Sequence, residues 1–412
     1  GVIGVQQALL GVESGGNNEA RVLFRADDTF EFYDYQSGYK FRKITTRKFR
    51  DCSAWYNIVL AVDTTHPTGS ARVNIYINGV QETSFSTSTD PAQNLNTFYN
   101  SSGNHIVQIG RQSTGNSYFT GSMSHVNFCD GTTLAPTVFG STDATTGEWK
   151  GNTSPSVTYG TNGYFILKNS NSVTDQSGRG NNFTVGGGTL TNLKDNPDNN
   201  FATFNPLNSW GAAVLTNGNL TVEDTGTTAG RFFATIHMNK GKWYMEFNVD
   251  THLNSYTAPS FLLAGTGAFQ LAQIGFTSSG DGSFGMSSNG RVITDGAESA
   301  VVIPALVNND KVQIAYDADA GKAWFGINGT YFNSGNPTTA ANPYFTSTKL
   351  QNNDVVFVSI GYDGNKMSAN FGNGYFGTTA VSSAGTNASD NGIFEYDVPT
   401  GFTALSTKGL NL

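Results

Sequence analysis

The chain has 412 residues, only 13% of them charged, with 49 glycines, 17 tyrosines and 29 phenylalanines, a formal net charge of −8 and a pI near 5.1. That length holds two or three domains with cores of their own, and so low a charge content beside so much Gly, Asn, Ser and Thr is the profile of a turn-rich, all-β protein. The acidic balance argues against nucleic acid as a partner, and no apolar stretch is long enough to cross a bilayer as a helix.

Strands are predicted at 21–25 and 29–35. The basic run KFRKITTRKFR at 40–50 alternates, which predicts one or two strands with a solvated face and makes a polyanion site the weaker alternative. Further strands follow at 55–63 and 71–77. In 72–78 the apolar Val73, Ile75 and Ile77 alternate with Asn74 and Asn78, the two-residue period that sends successive side chains to opposite faces of a sheet. Asn78-Gly79 takes positive φ readily, as a tight type I′ hairpin requires. Strands at 105–110 and 118–128 precede a looser stretch, 129–205, in which YFILK (164–168) is the expected closing strand and Pro and Gly rule out long helices. Cys52 and Cys129 cannot make a zinc site alone, and both a bridge across a sandwich and two buried free thiols fit them.

Asn205-Pro206-Leu207-Asn208 reads as a junction that ends a first domain at 204. The second domain, 205–392, runs through GKWYMEFNVD (241–250), AQIGFT (272–277), the segment 312–332, VVFVSIGY (355–362) and MSANFG (367–372), again alternating. Residues 393–412 form a tail expected to pack back on a domain before ending free. The order of events in 58–85, a strand ending in Asp, a turn, a second strand and then Ile-Asn-Gly, recurs in 312–332 around Asn328-Gly329. Each unit is followed by a strand with Ile-Gly near its end and a strand containing Met. The fold class expected is therefore all-β, two antiparallel β-sandwiches of one general kind in tandem.

Several ordered segments carry a resemblance: FRDCSAWYNIVLAVDTT (49–65), VNIYINGVQ (73–81), FTGSMSHVNFCDGTTLAPTVFG (119–140), YGTNGYFILK (159–168), DQSGRGNNFTV (175–185) and NNFATFNPLNS (199–209), then GKWYMEFNV (241–249), DKVQIAYDADAGKAWFGING (310–329) and FEYDVPTGFTALSTKGLN (394–411). Together they resemble virion proteins of tailed bacteriophages in which a laminin-G-like, concanavalin A-like domain precedes a SPRY-like domain. The resemblance implies a laminin-G-like sandwich with a C-terminal connecting region over 1–204 and a SPRY-like sandwich over 205–392. It also implies a place in a tail fibre or other virion appendage, with other virion proteins as partners and, by analogy with fibres, a homo-oligomer such as a trimer. Similar proteins carry another strand or two ahead of the segment matching VQQALLGVESGG (5–16), so the sequence is expected to be a fragment of a longer polypeptide; otherwise a central strand would become an aggregation-prone edge.

Concanavalin A-like folds also host glycan-cleaving enzymes, which need two carboxylates facing one sugar. The nearest approximations, Glu31 with Asp34 and Glu246 with Asp250, lack the i, i+2 spacing that would put both on one face of a strand. His66, His105, His125, His237 and His252 are scattered, and no Gly-x-Ser-x-Gly elbow occurs. Asp63, Asp175, Asp317 and Asp319 precede turns, as loop ligands of calcium do, yet turn formation alone explains each, so no cofactor is required. Loop aromatics are the better candidates, because a flat ring stacks on a sugar while neighbouring Asn and Asp fix its hydroxyls. Tyr35, Tyr39, Tyr99, Tyr118, Tyr256 and Phe284 lie in turn-like contexts and are the candidate ligand-binding residues. The function expected is a non-enzymatic virion component on the particle surface whose lectin-like domains contact host-surface glycans or neighbouring subunits. Two alternatives stand beside it, a purely structural decoration protein and a glycan-degrading enzyme.

Overall fold

The computed structural model describes residues 2–14, 18–52, 54–100, 105–112, 117–144, 147, 149–168, 171–253, 260–265 and 282–411. The predicted strand at 272–277 lies outside them. The protein is all-β, built of antiparallel sheets, and its chain divides into two compact units, Gly1–Asn192 and Leu193–Leu412.

The first unit contains β1 (Gln7–Glu13), β2 (Asn18–Phe24), β3 (Thr29–Gln36), β4 (Tyr39–Lys48), β5 (Ile58–Val62), β6 (Val73–Ile77), β7 (Val80–Gln81), β8 (Phe85–Thr89), β9 (Ile106–Ile109), β10 (Val126–Phe128), β11 (Gly140–Thr142), β12 (Trp149–Gly151) and β13 (Tyr164–Ile166). Among the described residues, a six-stranded sheet runs β8-β4-β3-β2-β1-β9 and a three-stranded one runs β5-β6-β7, with β10-β13 and β11-β12 as separate pairs. The alternation expected in β6 is observed: Val73, Ile75 and Ile77 are buried while Asn74 and Tyr76 are not. Those three pack against Phe30, Phe32 and Phe41 of the larger sheet, which makes a sandwich. Each such ring taken out of water contributes roughly 1.5–3 kcal/mol.

The second unit adds β14 (Phe204–Trp210), β15 (Ala213–Thr216), β16 (Thr221–Asp224), β17 (Gly230–Ala234), β18 (Lys242–Thr251), β19 (Ser260–Gly265), β20 (Ser283–Ser287), β21 (Arg291–Thr294), β22 (Ala297–Val301), β23 (Lys311–Asp317), β24 (Lys322–Ile327), β25 (Thr330–Tyr331), β26 (Phe345–Thr346), β27 (Val355–Gly361), β28 (Lys366–Asn370), β29 (Tyr375–Phe376), β30 (Thr379–Ala380) and β31 (Thr403–Ala404). A seven-stranded sheet, β14-β17-β27-β19-β20-β21-β22, faces a second one, β15-β16-β28-β18-β23-β24-β25, which β26 and β31 extend. Phe247 of β18 joins the two layers. Its ring stacks on Phe357 of β27 at 4.1 Å and meets Phe371 edge-on at 5.6 Å.

The repeated unit has one structural meaning in both sandwiches. Asn78 (φ 49°) and Gly79 (φ 76°) turn β6 into β7, and Asn328 (φ 49°) and Gly329 (φ 85°) turn β24 into β25, so both hairpins have positive φ at their two central residues. Each turn asparagine also hooks the preceding strand. Asn78 Oδ1 accepts from the Asn57 amide at 2.8 Å while the Asn78 amide donates to the Asn57 carbonyl, and Asn328 does the same with Lys311 at 2.8 Å. The side chain therefore replaces a ladder bond where the neighbouring strand begins.

Two boundaries differ from the sequence expectation. The units divide at 192/193 rather than 204/205, because Phe201, Ala202 and Phe204 are already buried in the second unit's core. Residues 393–412 do pack back on a domain, but as part of the second unit's core rather than as a tail on its surface. Phe394, Val398, Phe402, Ala404 and Leu405 belong to the same core, and Thr403–Ala404 pairs in parallel with Trp243 and Tyr244 of β18. Because 186–190 is exposed and lacks strands, limited proteolysis is expected to accumulate a C-terminal fragment starting near Leu193. Degradation of the second half before any such fragment appears would show that the second unit does not stand alone.

Candidate functional site

The candidate face is the outer side of the six-stranded sheet, and strand register decides what it displays. Directly opposed residues share a face. Glu13, Glu19, Tyr35 and Tyr39 form one such row across β1 to β4, and Gly11, Arg21, Tyr33 and Arg42 form the next. Simple alternation along β4 would point Tyr39 inward with Phe41. The pairing skips from Asp34↔Phe41 to Tyr35↔Tyr39, so Lys40 is an extra, unpaired residue, a β-bulge that re-aims Tyr39 outward.

The bulge assembles three tyrosines. The Tyr39 ring meets Tyr33 edge-on at 5.4 Å and Tyr35 at 5.1 Å, and the Arg42 guanidinium lies 4.4 Å from its centroid. Tyr39 is 43% exposed, whereas Tyr33 is buried beneath its neighbours. The Tyr33 hydroxyl donates to Glu19 Oε1 at 2.6 Å, and burial first, then this bond, pushes it well above the usual phenol range. Glu19 is also paired with Arg21. One row further, Glu31 accepts Arg25 Nη1 on Oε2 and Arg42 Nε on Oε1, each at 2.7 Å. Two guanidiniums thus clamp one buried carboxylate, and one of them also lies over the Tyr39 ring.

The six sequence candidates separate on the structure. Tyr35 and Tyr39 come together, but on strands and on a sheet face rather than in loops. Tyr118 is 57% exposed with Arg111 5.6 Å from its ring centroid. Its neighbour Ser117 accepts the Ala8 amide. Four strand spacings across and five residues along from Tyr39, this places Tyr118 roughly 25 Å away at standard strand spacings. Tyr99 packs its ring on Phe32 at 5.3 Å and donates its hydroxyl to the Tyr33 carbonyl at 3.0 Å, so it anchors the sandwich. Phe284 is a core residue, 3% exposed, because β20 buries it with Met286 inside the second unit. Tyr256 lies outside the described residues. Sequence reasoning missed Tyr33, Glu19 and Arg21, and it weighed Glu31 only as a catalytic carboxylate and Arg42 only within the basic run; the i, i+2 spacing of Tyr33 and Tyr35 beside a Ser-Gly turn was the available signal.

The basic run at 40–50 keeps Lys40, Arg47, Lys48 and Arg50 exposed, but several of its charges are paired. Arg42 pairs with Glu31, Lys43 is 3% exposed and pairs with Asp90 at 2.5 Å, Arg47 pairs with Glu82 and Arg50 with Asp28. Bonded carboxylates also account for the pairs weighed as catalytic. Glu31 and Asp34 point to opposite faces of β3, and Asp34, held uncharged more readily by burial, accepts the Phe98 amide inside the sandwich. Glu246 is fully buried under residues 395–396, and Asp250 accepts Asn248 Nδ2 at 2.5 Å and Ser368 Oγ at 2.6 Å. Asp63 and Asp175 each receive a backbone amide within a turn of their own, and Asp317 and Asp319, which flank and occupy the one turn at 318–321, receive the Ala320 and Gly241 amides. Among the described residues no three His, Cys, Asp or Glu side chains group to hold a metal ion. Cys52 and Cys129 are not joined in a disulfide, and burial pushes Cys129 up to about 11. The second unit has an open cleft of about 400 Å³ lined by Tyr331, Asn336, Thr338, Thr386, Asp397 and Thr400. There Asp397 is drawn below the usual carboxylate range by the Thr386 amide and hydroxyl, which use one of its oxygens.

Residues 3–139 match the family model of the concanavalin A-like lectin/glucanases superfamily, a span that includes the whole six-stranded sheet. No curated protein matches the chain. Among solved structures, the chain is similar to the SPRY domain of human HERC1, with 15% identity over 40% of this chain and 96% of that one and a TM-score of 0.32. It is also similar to the PSpry domain of TRIM65, with 15% identity over 41% of this chain and 91% of that one and a TM-score of 0.30.

Proposed function

We propose that the chain is a non-enzymatic, glycan-binding component of a tailed-bacteriophage virion appendage, displayed on the particle surface in several copies. The observation that carries the binding reading is the Tyr33–Tyr35–Tyr39 cluster with Arg42, lying within the span that matches the lectin/glucanase superfamily. A ring held on a rigid sheet by two perpendicular neighbours stacks on a sugar with little entropy left to lose. The adjacent guanidinium keeps further N–H donors for sugar hydroxyls. The commitment of Glu31, Glu246 and Asp250 to bonds within the fold supports binding rather than cleavage. The place in a virion rests on the sequence resemblance, and there a homo-oligomer such as a trimer would raise weak single-site contacts through effective concentration, by roughly 10²–10⁴.

A glycan array probed with the full chain tests this. Tyr39→Ala is expected to weaken retention about tenfold, the loss of about 1.4 kcal/mol of stacking, with the first unit still folded at the assay temperature and with or without a calcium chelator. Undiminished retention by the variant would move the site elsewhere. Absence of retention on any glycan would leave a decoration protein that contacts only virion subunits, and release of reducing sugar would make the chain an enzyme.

A further inference from the structure

We propose that the tyrosine face selects neutral polysaccharides and discriminates against acidic ones, an inference that rests on the glycan-binding reading above. Every arginine on this face is already committed to a carboxylate: Arg21 to Glu19, Arg42 to Glu31, and Arg25 to both Glu31 at 2.7 Å and Asp27 at 3.5 Å. Both oxygens of Glu31 are occupied, so the carboxylate is held between two guanidiniums rather than free to swing aside. A uronate or sulfate would therefore meet guanidiniums whose charge a carboxylate already balances, and would gain less from them than from an unpaired one. It would also meet Glu13, which stands directly opposite Glu19 across β1 and β2 with no arginine of its own in that row. A neutral sugar faces none of these costs. It stacks on the Tyr39 ring and offers hydroxyl oxygens to the guanidinium N–H groups that the carboxylates leave unused.

The test uses the full chain with matched polysaccharides that differ in charge: dextran against dextran sulfate, and galactan against polygalacturonate, within an array of neutral and acidic glycans. Neutral members are expected to be retained at least about tenfold better than acidic ones, with less than about a twofold change between low and high salt. Glu19→Gln, which keeps an acceptor for Tyr33 but frees Arg21, is expected to raise retention of dextran sulfate by about tenfold or more. Glu31→Gln, which frees Arg25 and Arg42, should act in the same direction, and the wild-type comparison decides the matter should that buried substitution fail to fold. Wild-type preference for acidic glycans, falling as salt rises, would overturn the neutral selectivity while leaving glycan binding intact. Retention of no glycan at all would instead remove the binding reading, and this inference with it.

Discussion

Replacing Gly79 by valine is expected to destabilise the first unit by about 2–6 kcal/mol, the joint effect of two separate penalties. The first is conformational. At φ 76° a β-branched side chain sits in the left-handed region, at about 1–3 kcal/mol. The second is steric, because a Cβ at this position would lie 2.2 Å from the Trp149 ring, overpacking of about another 1–3 kcal/mol. Gly329, its counterpart in the repeat, has φ 85° but would place a Cβ 3.0 Å from the Tyr396 ring, a tight contact that a small shift of the half-buried ring relieves, unlike the overlap at Trp149. Gly329→Val should therefore suffer mainly the first penalty, and its effect should fall on the second unit's transition. Denaturant midpoints of the two transitions measure both variants. Equal losses would show that the Trp149 contact is weak, and no loss in either would mean that the hairpins do not need their glycines.

These hairpins were legible because their signals are local: a dipeptide sets the turn, and two-residue alternation marks the flanking strands. The same locality limits what can be read of the candidate site. Tyr39 reaches the outer face only through the bulge at Lys40, and a single extra residue reverses the facing that alternation predicts. Glu19 and Arg42 belong to strands joined only through β3, so their convergence depends on sheet order rather than spacing. Phe284 illustrates the opposite error. GDGSFG has turn-forming residues on both sides, yet small Ser283, Gly285 and Ser287 let β20 lie fully buried with its ring in the core. The C-terminal residues were set apart for a related reason, since parallel pairing of β31 with β18 joins segments far apart in sequence and leaves no periodic trace.

Glu246 is expected to make the second unit less stable as pH rises from 4.5 towards and past 7. Burial on the outer face of β18 drives its carboxyl up to about 7, against an ordinary 4.5. Bonds from the Tyr244 hydroxyl and the Glu395 and Tyr396 amides offset part of that rise, while Glu395 repels the charged form. A folded-state value above the unfolded one means the native state holds the proton more tightly. Stability from this group is therefore complete below 4.5, declines between 4.5 and 7, and is lost above, by an amount on the order of 3 kcal/mol. Glu246→Gln cannot ionise, so the difference in unfolding free energy between wild type and variant should shrink or change sign across that window, whatever other groups titrate. Parallel pH curves for the two proteins would sink this account. Glu246→Ala should be costly at every pH, by at least about 2 kcal/mol, because it strands one hydroxyl and two amides in a dry interior. Hydrogen exchange at Glu395 and Tyr396 supplies the structural readout: both amides should lose protection in Glu246→Ala.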